Sequence, residues 1–363
     1  EDGRLSRVFC DPYSGTHGGI YKRQTPTLPN NKRDINDVSH ALVRLSMPSI
    51  NNAWPDGGTV AREALFAAHM RHNLGMLYFL QQDAAAPEKI QQEAREWGLC
   101  ADEFVFNNHL PEQIYVREGR RMMGRYVFTQ RDTERSPDSK GARAVFQPDA
   151  VAMGDYGPNC HGTGHEGPRF GGKHTGEFYQ RAAPYQIPYG VILSKEIENL
   201  AVPVACSSSH VGFCALRLEP IWMSLGQAAG EAIGLSRALN TALAQVQPSA
   251  IRARLHETQT ATIYTSDVPE ESPDFAAAQW WGCLGGFQAL DMEEASYGKR
   301  GKQAIGQYHE AFPGHAVELN AALDASVREA WMEIAETVCK SMAGLKEAET
   351  RGAFIRAAWG GRR

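Results

Sequence analysis

Ser207, Ser208, Ser209 and His210 stand together at the end of a short apolar run, residues 200–206, rich in β-formers, with Arg217 and then Pro220 close behind. Proline at 220 suits the first turn of a helix running to about Asn240. Hydroxyls, an imidazole and a guanidinium crowded at a helix N-terminus suit a phosphate, or an electron-rich ring that becomes anionic on reduction. Unpaired backbone N–H groups and the helix dipole both favour negative charge there. Within the helix, Gly226, Ala228, Ala229, Gly230, Ala232 and Gly234 follow in quick succession around Gln227, just after Met223. Such a run costs helical stability unless a bulky partner comes close to the backbone. Tight packing on a sheet is the structural alternative. Upstream, Tyr185 and Tyr189 bracket Pro188 on a strand, where they either line a substrate cavity or serve as packing elements.

Other candidates are weaker. His161, His165 and His174, with Glu166, raise the question of a metal. An H-x3-H spacing would suit a helix, yet Gly162, Gly164 and Pro168 argue against one, and no metal site is assigned. His69 and His72 fall on one face of a predicted helix and read as satisfied or solvated side chains. Arg117, Glu118, Arg120 and Arg121 form the densest charge run away from the termini, the pattern of a solvated face, and receive no catalytic role.

The elements that must position these groups follow from periodicity. Residues 1–50 are rich in Gly, Pro, Asn and Asp and read as loops with short strands. Residues 59–82 carry Ala and Leu at helical spacing, and Pro87 opens a second helix ending near Trp97, which together predict a helical hairpin. Strands are expected at 126–129 and 145–153, separated by the polar loop 131–141. Residues 155–184, dense in Gly and His, read as one long loop, a length that usually signals mobility or function. Helices are expected at 249–256 and 321–342, with a short apolar-aromatic element at 275–281.

Taken in order, several strings resemble the bacterial FAD-dependent oxidoreductases often labelled xanthan lyases, relatives of the two-domain flavoprotein superfamily. They are LPNNKRDIN (28–36), WGLCADEF (97–104), LPEQIYVREGRRMMGRYVFTQRD (110–132), DAVAMGDYGPNCH (149–161), YQIPY (185–189), then S-x-x-H, Arg217, Pro220, Met223 and GQAAG (226–230). The resemblance implies an α/β fold with an α+β substrate domain: residues 1–20 a remnant of the FAD-domain connection, 21–195 the substrate domain, 196–246 the C-terminal return of the FAD domain, and 247–363 a mainly helical region. It implies FAD as cofactor, contacted by Ser208, Ser209, His210, Arg217, Pro220, Met223, Gly226, Gln227, Ala228 and Gly230. Catalytic roles fall on His161 as general base, on His210 beside the flavin edge, and on Tyr189 lining the substrate cavity.

One departure stands beside these matches. The family opens with a βαβ unit carrying G-x-G-x-x-G, whose glycines let the backbone reach the pyrophosphate. Here the glycine clusters at 15–19, 162–167 and 171–172 follow no apolar strand and open no periodic helix. The expectation is a C-terminal portion of a two-domain flavoprotein, with an incomplete Rossmann-like FAD domain completed by an N-terminal segment or chain.

Composition narrows the field. A hydrophobic content of 42%, a charged content of 22% and a net charge of −5 describe an ordinary globular chain and give no electrostatic case for nucleic acid. No apolar run approaches the ~20 residues that span a bilayer. Seven scattered cysteines without a CxxC pair argue against a disulfide framework and structural zinc. The expected activity is hydride transfer from a hydroxyl or related C–H group of a small substrate, with carbohydrates the candidate class, to flavin. The alternatives are a non-redox carbohydrate-active enzyme on the same fold and a non-catalytic binding or assembly subunit.

Overall fold

The computed structural model describes residues 21–23, 29–32, 35–37, 45–137, 143–167, 173–290 and 312–362. In chain order the strands and α-helices are β1 (Tyr21–Arg23), β2 (Ile35–Asp37), α1 (Thr59–Gln82), α2 (Glu88–Ala94), β3 (Ala150–Gly154), β4 (Asn159–Glu166), β5 (Lys173–Tyr179), β6 (Tyr185–Pro188), α3 (His210–Leu216), α4 (Glu219–Leu239), α5 (Pro248–Glu257), α6 (Phe275–Gly282), α7 (Ala325–Val338) and α8 (Arg351–Gly361). The proposed connection at residues 1–20 lies outside the described residues, as do the glycines at 15–19 and 171–172.

The chain divides into two compact units, residues 1–119 with 160–178, and residues 120–159 with 179–363. In the first, β1 pairs antiparallel with β2, and α1 and α2 form the expected helical hairpin. Gln81 Nε2 donates to the carbonyls of Ala94 (3.0 Å) and Trp97 (2.8 Å), which ends α2 three residues short of the expected Trp97. His69 is buried in α1 with Nδ1 2.8 Å from the Leu65 carbonyl, so it is a satisfied side chain.

Residues expected to form one long loop, 155–184, instead contain the β4–β5 hairpin. Glycine and histidine carry little strand propensity, so composition hid it. Gly162, Gly167 and Gly176 adopt positive φ there (101°, 79° and 76°), a conformation open to glycine without steric cost. By letters alone Gly162, Gly164 and Gly167 do have the G-x-G-x-x-G spacing; the first two lie within strand β4 and Gly167 just past its end, and the next element among the described residues is strand β5.

The second unit holds both buried hydrophobic clusters seen among the described residues. β3 pairs antiparallel with β6. Phe128, Val151, Tyr185, Ile187, Leu216, Leu225 and Ala228 belong to the first cluster, against which α4 and α5 pack. The second is aromatic: Trp281, Trp331 and Phe354 meet with ring centroids 5.3–5.5 Å apart and join α6, α7 and α8. Helix α7 is shorter than the expected 321–342, and α8 was not anticipated. Residues 200–206, expected as a strand, run as irregular backbone with a single bridge at Ala201. Pro203 has no N–H to donate, so pairing to residues 191–194 is broken there. Likewise 145–149 precede the strand that begins at Ala150, and 126–129 contribute one bridge, Phe128 to Ser208. The paired strands form two-stranded antiparallel sheets, so the parallel sheet of a Rossmann-like half is not seen among the described residues.

Candidate functional site

The serine loop is held from both sides by one residue of the second unit. Phe128 N donates to Ser207 O (3.1 Å), and Ser209 N donates to Phe128 O (2.8 Å). Ser207 N also donates to Val191 O (2.9 Å), and Met122 N to Ala205 O (2.8 Å). The segment carrying Phe128 is fixed by Asp132, 5% exposed, which closes a capping box with Thr129 and accepts from Gln147 Nε2 (2.8 Å) and the Tyr126 hydroxyl. Burial, reinforced by that hydrogen bond, pushes the Tyr126 phenol up to about 12.

From this frame the chain turns into α3, a helix not expected from the sequence. Ser209 is its N-cap and accepts from Gly212 N at 3.0 Å. His210 is the first helical residue and is half-buried. Ser207 is fully buried, and neither its hydroxyl nor that of Ser208, whose Oγ is also shielded, has a hydrogen-bond partner. Beside them, Arg121 donates through Nε to Ser208 O (3.2 Å), and its guanidinium lies 5.3 Å over the Phe213 ring. Arg121 sits in the charge run that carried no expected role. Its signal was not local, because its partner lies 87 positions away.

Arg217 is 3% exposed, and its Nε and Nη2 are committed. Nε and Nη2 reach Asn159 O (3.3 and 3.1 Å), Nη2 lies 3.4 Å from the Tyr156 hydroxyl, and the guanidinium stacks over the Tyr156 ring at 5.4 Å. This is the geometry of an anchor. Tyr189, 3% exposed, lies in the core and donates to Leu243 O (2.9 Å), with burial raising its phenol to about 12.

Helix α4 starts at Glu219 with Pro220 in its first turn, as expected. Its two faces separate the expected cofactor contacts. Leu225, Ala228, Ala229 and Ala232 are buried against the core, whereas Met223 is 71% exposed and Gln227 and Gly230 lie on the outer side. A Cβ added at Gly226, Gly230 or Gly234 would meet nothing within 4 Å. The small residues on that face therefore leave open space. Gln227 donates to Thr260 Oγ1 at 2.9 Å.

His161 lies on β4 in the first unit and is half-buried. The rings of His165 and His174 meet edge to face across the β4–β5 hairpin, with centroids 5.2 Å apart.

Residues 9–255 match the family described as FAD dependent oxidoreductase, well over half of the chain. The chain belongs to this family. No curated protein and no solved structure gave a match. Membership makes the protein a flavin-dependent oxidoreductase with FAD as cofactor. The groups of the serine loop fit one part of that cofactor. Two buried hydroxyls without partners and a neighbouring guanidinium can serve the carbonyl oxygens and developing negative charge of an isoalloxazine edge. A pyrophosphate cradle is not seen among the described residues. No helix among them is long and apolar enough to cross a membrane.

Proposed function

We propose that this oxidoreductase removes hydride from a hydroxyl or related C–H group of a small substrate, with carbohydrates the first class to test. The observation that carries the proposal is the pair of buried, unpartnered hydroxyls on Ser207 and Ser208 beside Arg121, inside the family-matched segment. Buried polar groups without partners are costly, and a ligand supplying the missing partner removes the cost.

FAD, when bound, supplies the two-electron acceptor. Ser207 and Ser208 would donate to its ring carbonyls, and Ser209 and His210 would border it at the start of α3. Met223, Gly226, Gln227 and Gly230 would offer it the outer face of α4, with Pro220 fixing the start of that helix. Ala228 would act only from behind, since it faces the core, and Arg217 would hold the Asn159 segment in place. His161 would take the substrate hydroxyl proton on an imidazole nitrogen as the C–H bond breaks. That role rests on the likeness of residues 149–161 to the family. The pyrophosphate cradle would come from a segment or chain carrying G-x-G-x-x-G after a strand.

The visible spectrum of the purified protein, alone and after incubation with FAD and removal of the excess, tests the proposal. Retained flavin bleached by a panel of sugars and sugar acids supports it. Retained flavin that no hydroxylated substrate reduces contradicts the hydride-transfer role.

A further inference from the structure

The histidines that meet across the β4–β5 hairpin, His165 and His174, take no part in the flavin reading. Both belong to the first unit, His165 near the end of β4 and His174 near the start of β5, and both are half-buried. Glycines draw the two strands together around them. A Cβ at Gly164 would stand 2.7 Å from Thr175 Oγ1, one at Gly162 3.2 Å from Thr175 O, and one at Gly176 would overlap Thr163 Oγ1. Gly162 and Gly176 also take positive φ. A methyl group at any of these positions would push the strands, and the imidazoles they carry, apart. The glycines that argue against a helical H-x3-H pair are thus the ones that bring His165 to His174.

The ring separation has a chemical reading. The two centroids are 5.2 Å apart with the planes at 73°. Two imidazoles bound to one tetrahedral zinc ion, with Zn–N of about 2.0–2.1 Å, hold their centroids about 5 Å apart. Edge-to-face packing alone covers about 4.5–7 Å, a range that includes this pair, but its gain goes with apolar burial. Here neither ring is fully buried, and the two strands are built largely of Gly, Thr, His and charged residues. Glu166 and Glu177 against Lys173 leave the strands net negative, which favours a cation.

We propose that His165 and His174 bind one zinc ion, with one nitrogen from each ring and water in the remaining positions. Among the described residues no third His, Cys, Asp or Glu joins the pair within ligand reach, so the site is open. Imidazole suits zinc, nickel and copper and does not suit magnesium or calcium, whose ligands are oxygens. Because one ligand comes from each strand, the ion clamps β4 to β5 and stabilises the hairpin. The site does not rest on the flavin reading and is tested without FAD.

The experiment is a calorimetric titration of the full chain with zinc chloride, beside magnesium chloride. Zinc should bind saturably and magnesium should not. His165→Gln and His174→Gln should each weaken zinc affinity by about tenfold or more, and the double variant no further, because loss of either ring ends the chelate. His72→Gln, on α1, should leave the affinity unchanged. The wild type carries a second measurement that needs no variant: zinc should slow hydrogen exchange in peptides covering β4 and β5, most around His165 and His174. No saturable zinc binding, equal binding of magnesium, unchanged affinity in the single variants, additive losses in the double variant, or slowed exchange confined to other segments would overturn the site.

Discussion

Gly212 lies so close to Phe128 that a methyl group on its α-carbon would stand 2.3 Å from the Phe128 carbonyl oxygen. This close approach seats α3 against the segment that also holds the serine loop. Gly212→Ala must move one backbone away from the other. The expected loss is about 2–3 kcal/mol of unfolding free energy, with weaker FAD retention, read from urea unfolding and flavin absorbance. Unchanged values in both would show that α3 and Phe128 are not coupled as described.

Ser207→Ala separates a structural from a ligand-binding hydroxyl. Removing a buried hydroxyl that has no partner should leave the flavin-free protein as stable as before, or more stable by up to about 1 kcal/mol. FAD affinity should fall about tenfold, measured by quenching of flavin fluorescence. A destabilised variant with unaltered affinity would place the Ser207 partner inside the protein.

Much of the helical framework was legible. Helix α1 was placed at both ends because Ala and Leu recur along it at helical spacing, and Pro220 marked the first turn of α4. Helix α3 was not legible: it is seven residues long, and its one strong signal, the Ser209 cap, is embedded in a serine run that reads as loop. The β4–β5 hairpin was hidden by its glycines and histidines. The two faces of α4 were blurred because small residues occupy both, Ala228 and Ala229 inward and Gly226 and Gly230 outward. Arg121 could not be told from its charged neighbours, since only the folded chain brings it to Ser208.

Asp132→Asn tests the frame behind the loop. The carboxylate serves Thr129 N (2.6 Å), the Thr129 hydroxyl, Gln147 and Tyr126, and an amide cannot accept from all of them. A loss of about 1–3 kcal/mol is expected in urea unfolding. Burial is the larger cause of the raised Tyr126 pKa, and the Asp132 bond adds to it, so the phenol should titrate below about 12 in the variant but above an exposed tyrosine. An ultraviolet titration of the phenolate checks this.

Acid should destabilise the fold through its buried histidines. Burial, then Arg252, draws His256 down to about 3, and its Nε2 lies 2.9 Å from Thr262 Oγ1. His315 is drawn down to about 2. In the unfolded chain both titrate near 6.5, so below that pH the unfolded state binds protons that the native state refuses. Their stabilising contribution is present above about 6.5 and is lost as pH falls toward 3, each residue adding up to about 1.4 kcal/mol per pH unit. Urea unfolding from about pH 7 down to about pH 5 should show this slope, and His256→Asn should reduce it.

The central claim is that FAD rests on the serine loop and the outer face of α4. Hydrogen–deuterium exchange of the full chain with and without saturating FAD measures it most directly. Slower exchange is expected in peptides covering residues 205–230, strongest around Ser207, Ser208 and His210. Bound FAD with protection confined to other segments, or no protection at any FAD concentration, would contradict the account.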